Sequence, residues 1–283
     1  MAESALELAK RFIEQERLWD DVLYLGGSSA VQDRLPAAIA SASAPAPVIG
    51  GIAVPTKTQK LQSLHEQYQD CVRCPLGATR IKFVFGVGNP EARVMFIGEG
   101  PGYEEDRRGE PFVGKAGQLL DKIMGAIGLS RENVYIANIV KCHPMQNPET
   151  PEARGNDRAP NAIEVETCSP ILLQQIATIQ PAFIVTLGSP STRMMLQTTE
   201  GITKMRGRFF PFPVEGFFAA HDSAASATGA GPLTLDGPTR QILSQTKILP
   251  TYHPAALLRN PDLKADVWTD MKRLREALQT TVF

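Results

Sequence analysis

The chain has 283 residues, 43% apolar and 21% charged, with 29 Lys and Arg against 30 Asp and Glu for a net charge of −1. That length can bury a full core with room for appendages, while near-neutrality excludes a general polyanion-binding surface, so any contact with nucleic acid must be a local patch. No apolar run approaches the length of a membrane span and the first 30 residues lack a signal-peptide core, so a cytoplasmic protein is expected.

In chain order, residues 1–35 read as an N-terminal amphipathic helical appendage, with Leu6, Ala9, Ile13 and Leu18 spaced among charges. Residues 36–55, PAAIASASAPAPVIGGIAVP, read as an Ala/Pro-rich linker expected to be disordered, and the organised body is placed at 56–283. Lys57 to Asp70 is expected as a short helix that delivers Cys71. Four apolar runs follow, Val94–Gly98, Val134–Val140, Phe183–Gly188 and Ile248–Tyr252, alternating with helical patterns. Leu119, Leu120, Ile123, Met124 and Ile127 mark one helix; Ser169-Pro170 is the expected N-cap and first position of another running through Ile179. Leu263, Val267, Met271, Leu274 and Leu278 line one face of the last. Strand alternating with helix predicts an α/β fold around a mainly parallel four-stranded sheet. Ligands in such folds sit at the carboxyl ends of the strands, where Gly98–Gly102, Asn138–Pro144, Gly188–Ser191 and His253–Pro261 should converge. Two segments, about 148–166 and 214–245, are expected as surface-loop insertions.

Two features carry chemistry. Gly98-Glu99-Gly100-Pro101-Gly102 closes the first strand, and glycine there lets main-chain amides approach a flat or anionic ligand. Glu99, Glu104, Glu105 and Asp106 crowd the same mouth, which would repel a phosphate. The second feature is Cys71-x2-Cys74 followed by Cys142 and Cys168. These are all four cysteines of the chain, and C-x2-C is a chelating spacing. Zinc and a 4Fe-4S cluster both accept four thiolates, and spacing does not separate them, although the split second pair departs from a zinc ribbon. Either would brace the chain before the first strand against the loops after the second.

Four blocks, CVRCPLGATR, GEGPGYEEDRRGEPFVGKAGQLLDKI, VYIANIVKCHPMQNPETP with Cys168, and LPTYHPAALLRNP, together resemble the family 4 uracil-DNA glycosylases, the iron-sulfur-containing branch of their superfamily. The likeness covers roughly Cys71 to Pro261 apart from the two insertions. It implies a three-layer α/β/α sandwich, a 4Fe-4S cluster on Cys71, Cys74, Cys142 and Cys168, and removal of uracil from DNA by hydrolysis of its N-glycosidic bond. Tyr103 stands where members often carry an acid, the gap from Cys142 to Cys168 is longer than usual, and residues 1–60 and 214–245 have no counterpart. The related branch that captures its product covalently ends an Arg-rich loop in histidine; Lys204-Met205-Arg206-Gly207-Arg208-Phe209 has none, so a monofunctional enzyme is expected.

A glycosylase must extrude its base into a pocket with an aromatic floor, an amide that reads the base edge and a donor to the departing base. The resemblance places Phe112 under uracil, with core packing as the alternative. Asn138 can accept from N3–H and donate to O4, or instead cap a turn, and Glu105 would crowd C5 against thymine's methyl. His253 would donate to O2 as charge develops there, and Glu99 with the backbone of Gly100 would position the water. Leu257 and Leu258 would wedge into the duplex and Arg259 would reach phosphate or the orphan base; Lys204, Arg206 and Arg208 would contact backbone phosphates. Uracil-containing DNA, single- or double-stranded, is the expected partner of a monomer, with repair-protein contacts through the N-terminal segment. The alternative is a catalytically silent iron-sulfur module that binds DNA or accompanies a DNA polymerase.

Overall fold

The computed structural model describes residues 48–49, 52–218 and 235–280. The N-terminal appendage, most of the linker and the middle of the second insertion lie outside the described residues. Within the stretch read as linker, Val48–Ile49 pairs antiparallel with Ile52–Ala53.

The main sheet contains β1 (Val87–Gly88), β2 (Val94–Gly98), β3 (Tyr135–Asn138), β4 (Phe183–Leu187), β5 (Phe210–Pro211) and β6 (Lys247–Thr251). Their order across the sheet is β1-β3-β2-β4-β6-β5. The four expected strands form its parallel centre, but the sheet is mixed and six-stranded, because β1 and β5 join the edges antiparallel. Each edge strand is two residues long, too short to leave an alternating pattern in the sequence, and short edges blunt the tendency of open sheets to pair. The chain steps from β2 to β3 in one direction and returns past β2 to β4, so the topological switch lies between β2 and β4.

Alternation along the buried strands builds two cores. Met95 and Ile97 face one side, where α1 (Lys57–Tyr68) and α5 (Ala162–Ile179) bring Leu61, Leu64, Leu172 and Ile176. Val94 and Phe96 face the other, against Leu120, Ile123 and Met124 of α4 (Lys115–Gly125) and Val267, Met271 and Leu274 of α10 (Leu263–Thr280). A sheet covered on both faces explains why its central strands are continuous apolar runs. The remaining helices are α2 (Leu76–Thr79), α3 (Tyr103–Arg108), α6 (Ser189–Leu196), α7 (Ile202–Met205), α8 (Gly237–Gln245) and α9 (Pro254–Arg259).

Two expectations are corrected. Helix α5 begins at Ala162, seven residues before Ser169, and carries Pro170 in its interior. Asn161 accepts from the Glu164 N–H while the Glu164 carboxylate accepts from the Asn161 N–H, a capping box that sets the true start. Proline at 170 has no N–H for the Glu166 carbonyl, and the Ser169 hydroxyl donates to that oxygen instead, at 2.9 Å. The segment expected as a surface loop at 148–166 is one as far as residue 161, mostly exposed, and differs only where α5 takes over 162–166; Met145 bridges Asp157, and Asn156 accepts from the Asn147 N–H at 2.7 Å, closing a compact excursion. At the start of the 214–245 segment Val214, Phe217 and Phe218 are buried in the first core, and α8 ends it.

Candidate active site

Strand register brings the site together. Gly98 pairs with Asn138 across β2 and β3, and Leu187 with Thr251 across β4 and β6, so four loops leave one edge of the sheet side by side. They enclose a cleft of about 640 Å3 whose lining includes Glu99, Gly100, Phe112, Asn138, Tyr252 and His253. All three pocket residues expected from the sequence, Phe112, Asn138 and His253, face this one cleft.

Asn138 ends β3 with 2% exposure, and its Oδ1 is buried without a hydrogen-bond partner. An orphaned buried acceptor costs about 1–3 kcal/mol, so a ligand N–H arriving there would relieve a standing deficit. A Cβ on Gly98 would stand 2.5 Å from Oδ1 and 2.5 Å from Phe112 Cζ, which is why the strand must end in glycine for amide and ring to meet. Phe112 is 5% exposed and left-handed, with φ of 55°, a conformation that costs a bulky residue about 1–3 kcal/mol. Its neighbours hold it there. Glu105 Oε1 accepts from the Val113 and Gly114 N–H groups at 2.9 and 3.0 Å, Arg131 donates to the Pro111 and Phe112 carbonyls, and Gly117 leaves room for the Phe112 carbonyl.

The His253 ring lies 5.5 Å from the Phe112 ring, tilted by 32°. Its Nδ1 accepts from the Ala255 N–H at 3.1 Å, which leaves Nε2 to carry the proton of the neutral ring. Burial, then the charge of Arg259, lowers its pKa to about 4. The imidazole is therefore a neutral donor at physiological pH. Burial raises the pKa of Glu99. At Gly100 a Cβ would come within 2.9 Å of Val140, so this position offers main chain alone. Glu105 lines the cleft, but both carboxylate oxygens are engaged, Oε2 accepting from the Gly102 N–H at 3.2 Å; it ties the Gly102 turn to the Phe112 loop.

Of the residues expected at DNA, two are corrected. Leu257 is fully buried in the second core, because it faces inward from α9, whereas Leu258 is 50% exposed and Arg259 lines the cleft mouth. Arg206 is committed to Asp270, with Nε to Oδ2 at 3.1 Å and Nη2 to Oδ1 at 2.7 Å, so it has no free fork for a phosphate. Lys204 is exposed and paired with Glu200 at 2.9 Å; Arg208 is exposed over the Phe210 ring.

The cysteines form no disulfide. Cys142 and Cys168 are buried, and their thiols are pushed up to about 12 and 11, first by burial; Cys142 also responds to Cys168 and Cys74, and Cys168 to Cys74 and Cys71. The four sulfurs are thus electrostatic neighbours, although among the described residues no group of three or more His, Cys, Asp or Glu is arranged to hold a metal ion. Two hydrogen-bond donors reach the buried pair. Arg80 reaches Cys142 Sγ at 3.5 Å, and the Lys141 N–H donates to Cys168 Sγ at 3.3 Å. The Lys141 ammonium is fully buried, donates to the Asn138 carbonyl at 3.0 Å and Gln175 Oε1 at 2.6 Å, and has no carboxylate partner among the described residues. Burial lowers its pKa to about 7, opposed only by Cys168 and Cys142. A buried ammonium whose opposing charges are the Cys168 and Cys142 thiols is chemically suited to neighbouring thiolates, although the sulfurs are not arranged as a metal site.

Sequence reasoning missed Asp157, which lines the cleft wall and meets His143 Nε2 at 2.6 Å, with Asp106 behind that ring. No periodicity marks it, because it lies in the compact excursion between Cys142 and α5. His65 keeps a structural place, packed on Phe83 and Phe85.

Comparison with known proteins gives a consistent picture. A family model described as the uracil DNA glycosylase superfamily matches residues 85–273. A type-4 uracil-DNA glycosylase of Saccharolobus solfataricus is 37% identical over 225 residues, which cover 78% of this chain and 87% of that protein. One from Thermotoga maritima is 33% identical over 227 residues, covering 79% and 97%. A shorter stretch of 134 residues, 47% of this chain, is 31% identical to 13% of a DNA polymerase from Bacillus phage SP01.

Proposed function

The chain belongs to the type-4 uracil-DNA glycosylases of the uracil DNA glycosylase superfamily, and on that premise we propose how its cleft removes the base. It excises uracil from DNA by hydrolysing the N-glycosyl bond, the first step of repair at that site. The observation that carries the pocket reading is the partnerless Oδ1 of Asn138. Uracil flipped into the cleft lies on Phe112, gives its N3–H to Asn138 Oδ1 and takes the Nδ2–H at O4. Cytosine presents the reverse pattern, an acceptor at N3 and a donor at position 4, so it leaves two mismatched contacts. His253 Nε2–H donates to O2, where negative charge gathers as the bond breaks. That contact strengthens in the transition state and so raises kcat more than affinity. Glu99 and the Gly100 main chain position the attacking water near the cationic sugar. Leu258 fills the vacated stack and Arg259, Lys204 and Arg208 contact the strand.

The same reading assigns a 4Fe-4S cluster to Cys71, Cys74, Cys142 and Cys168, supported by the electrostatic interaction among the thiols and by the charges of Arg80 beside Cys142 and Lys141 beside Cys168. When bound it cross-links the segment before the sheet to the loop after β3, an architectural contribution. Lys141 spans from that loop to the Asn138 carbonyl and keeps the base-reading amide in register with it. The phage polymerase match favours a second reading, a silent module associated with DNA synthesis; the gathering of Phe112, Asn138 and His253 in one cleft favours the enzyme. Incubation with uracil-containing single- and double-stranded oligonucleotides followed by alkaline cleavage decides. The proposal expects nicks at uracil alone, and Asn138→Asp should lose about 1–3 kcal/mol of discrimination against cytosine. Intact strands throughout would leave only the silent module.

A further inference from the structure

Asp270 is 1% exposed, sits in the middle of α10 and touches no residue that lines the cleft as a ligand-binding group. Its carboxylate nevertheless joins the Arg206–Gly207 turn to the side chain of Thr251 at the end of β6. The Thr251 hydroxyl donates to Oδ2 at 2.7 Å, and Arg206 closes on both oxygens. The Arg206 guanidinium also lies 5.4 Å from the centre of the Tyr252 ring. Gly207, at φ of 70°, packs against Asp270 so closely that a Cβ would overlap the carboxylate; its N–H donates to the Pro250 carbonyl at 2.9 Å, and Arg273 donates to its carbonyl. On the opposite side the Gly188 N–H donates to the Thr251 carbonyl at 2.9 Å. Thr251 is therefore gripped at both its hydroxyl and its carbonyl, two residues before His253.

We infer that the Asp270–Arg206 pair, acting through Thr251, is a positioning device that fixes the His253 imidazole over the leaving base. This rests on the role proposed above for His253. A donor to a departing base acts only at hydrogen-bond range, and a displacement of about 1 Å can lower a rate as much as a hundredfold. β4 pairs with β6 as far as Thr251, whereas β5 pairs only with its beginning, so on that edge the end of β6 is held by the Gly207 N–H at Pro250 and by Asp270 at the Thr251 hydroxyl. Salt bridges distant from a cleft are commonly structural; this one instead grips the strand end from which the donor departs.

The arrangement also predicts an acid limb. Burial raises the Asp270 pKa to about 6, against the opposing effects of Thr251 and Arg206, with Asp266 adding to the rise. The charged groups around it are Arg206 from the turn after α7 and Asp266 and Arg273 from its own helix; β6 contributes the neutral Thr251, and Tyr252 meets it only through Arg206. Above that pH the carboxylate holds both Arg206 contacts; as pH falls through it the charge is lost and the grip on Thr251 loosens. His253 cannot supply this limb, because its own pKa is about 4.

Single-turnover excision with saturating protein, measured from pH 5 to 8, tests the inference. The parent should show a rate that falls below about pH 6, and Asp270→Asn should abolish that limb and lower the plateau about tenfold while leaving DNA affinity within about twofold. Thr251→Val keeps the ion pair and the β-branched shape and removes only the hydroxyl link; it should lower the plateau similarly, and it decides the matter if Asp270→Asn fails to fold. An inactive parent would defeat the uracil reading itself. An active parent whose limb and plateau survive in Asp270→Asn, or whose plateau survives in Thr251→Val, would overturn the positioning role alone.

Discussion

At the scale of single residues, the cleft relies on groups held in costly states. His253 is neutral because burial, and then Arg259, depress its pKa from 6.5 to about 4. With a folded-state value below the unfolded one, the unfolded chain takes up the proton first, so this histidine withdraws stability as pH falls from about 6.5 toward 4 and leaves it untouched above. His253→Ala should therefore lower kcat about a hundredfold to a thousandfold at neutral pH with little change in KM, as removal of a transition-state donor does. Steady-state kinetics at saturating DNA check this, and an equal change in KM would point to ordinary binding. Asn138 and His253 stand out in the sequence because each follows an apolar strand, whereas the family resemblance points to Phe112; all three line one cleft. The sequence did not disclose that Arg206 is neutralised by Asp270 or that Leu257 faces inward. Partners 64 residues apart and the phase of a six-residue helix are products of tertiary packing and leave no local pattern.

Among the elements, α5 shows the same division. Its apolar second half was legible, whereas its first half was hidden by Ser169-Pro170, a pair that ordinarily opens a helix. The Ser169 hydroxyl compensates the carbonyl that Pro170 strands, and the real opening is the Asn161–Glu164 box, reinforced by Arg158 on the Glu164 carboxylate at 2.6 and 2.8 Å. Asn161→Ala should cost about 1 kcal/mol, the usual loss of a side-chain cap, read as a lower urea midpoint at unchanged slope. The two edge strands were illegible for another reason: two residues contain no period.

For the molecule as a whole, the four parallel strands and their covering helices followed from alternating apolar runs, and the convergence of their loops followed from the fold class. What the pattern could not supply is the electrostatic bracing, above all the buried Lys141 between Cys168 and Asn138. Anaerobically prepared protein should be brown, absorb in the visible and carry about four irons per chain. Cys168→Ser should lose colour and iron, and Lys141→Met should lower iron retention under chelator, since it removes a buried counter-charge; zinc in place of iron would refute the assignment. A cleft assembled from such distant pieces also makes distant positions intolerant. Gly117 is buried and does not line the cleft, yet the Phe112 carbonyl occupies the space where its first side-chain atom would be. A saturation mutagenesis survey scored by repair of uracil in cells should thus flag codon 117 alongside the residues that touch the base, and a map of tolerated variation would trace the pocket's scaffolding as well as its walls.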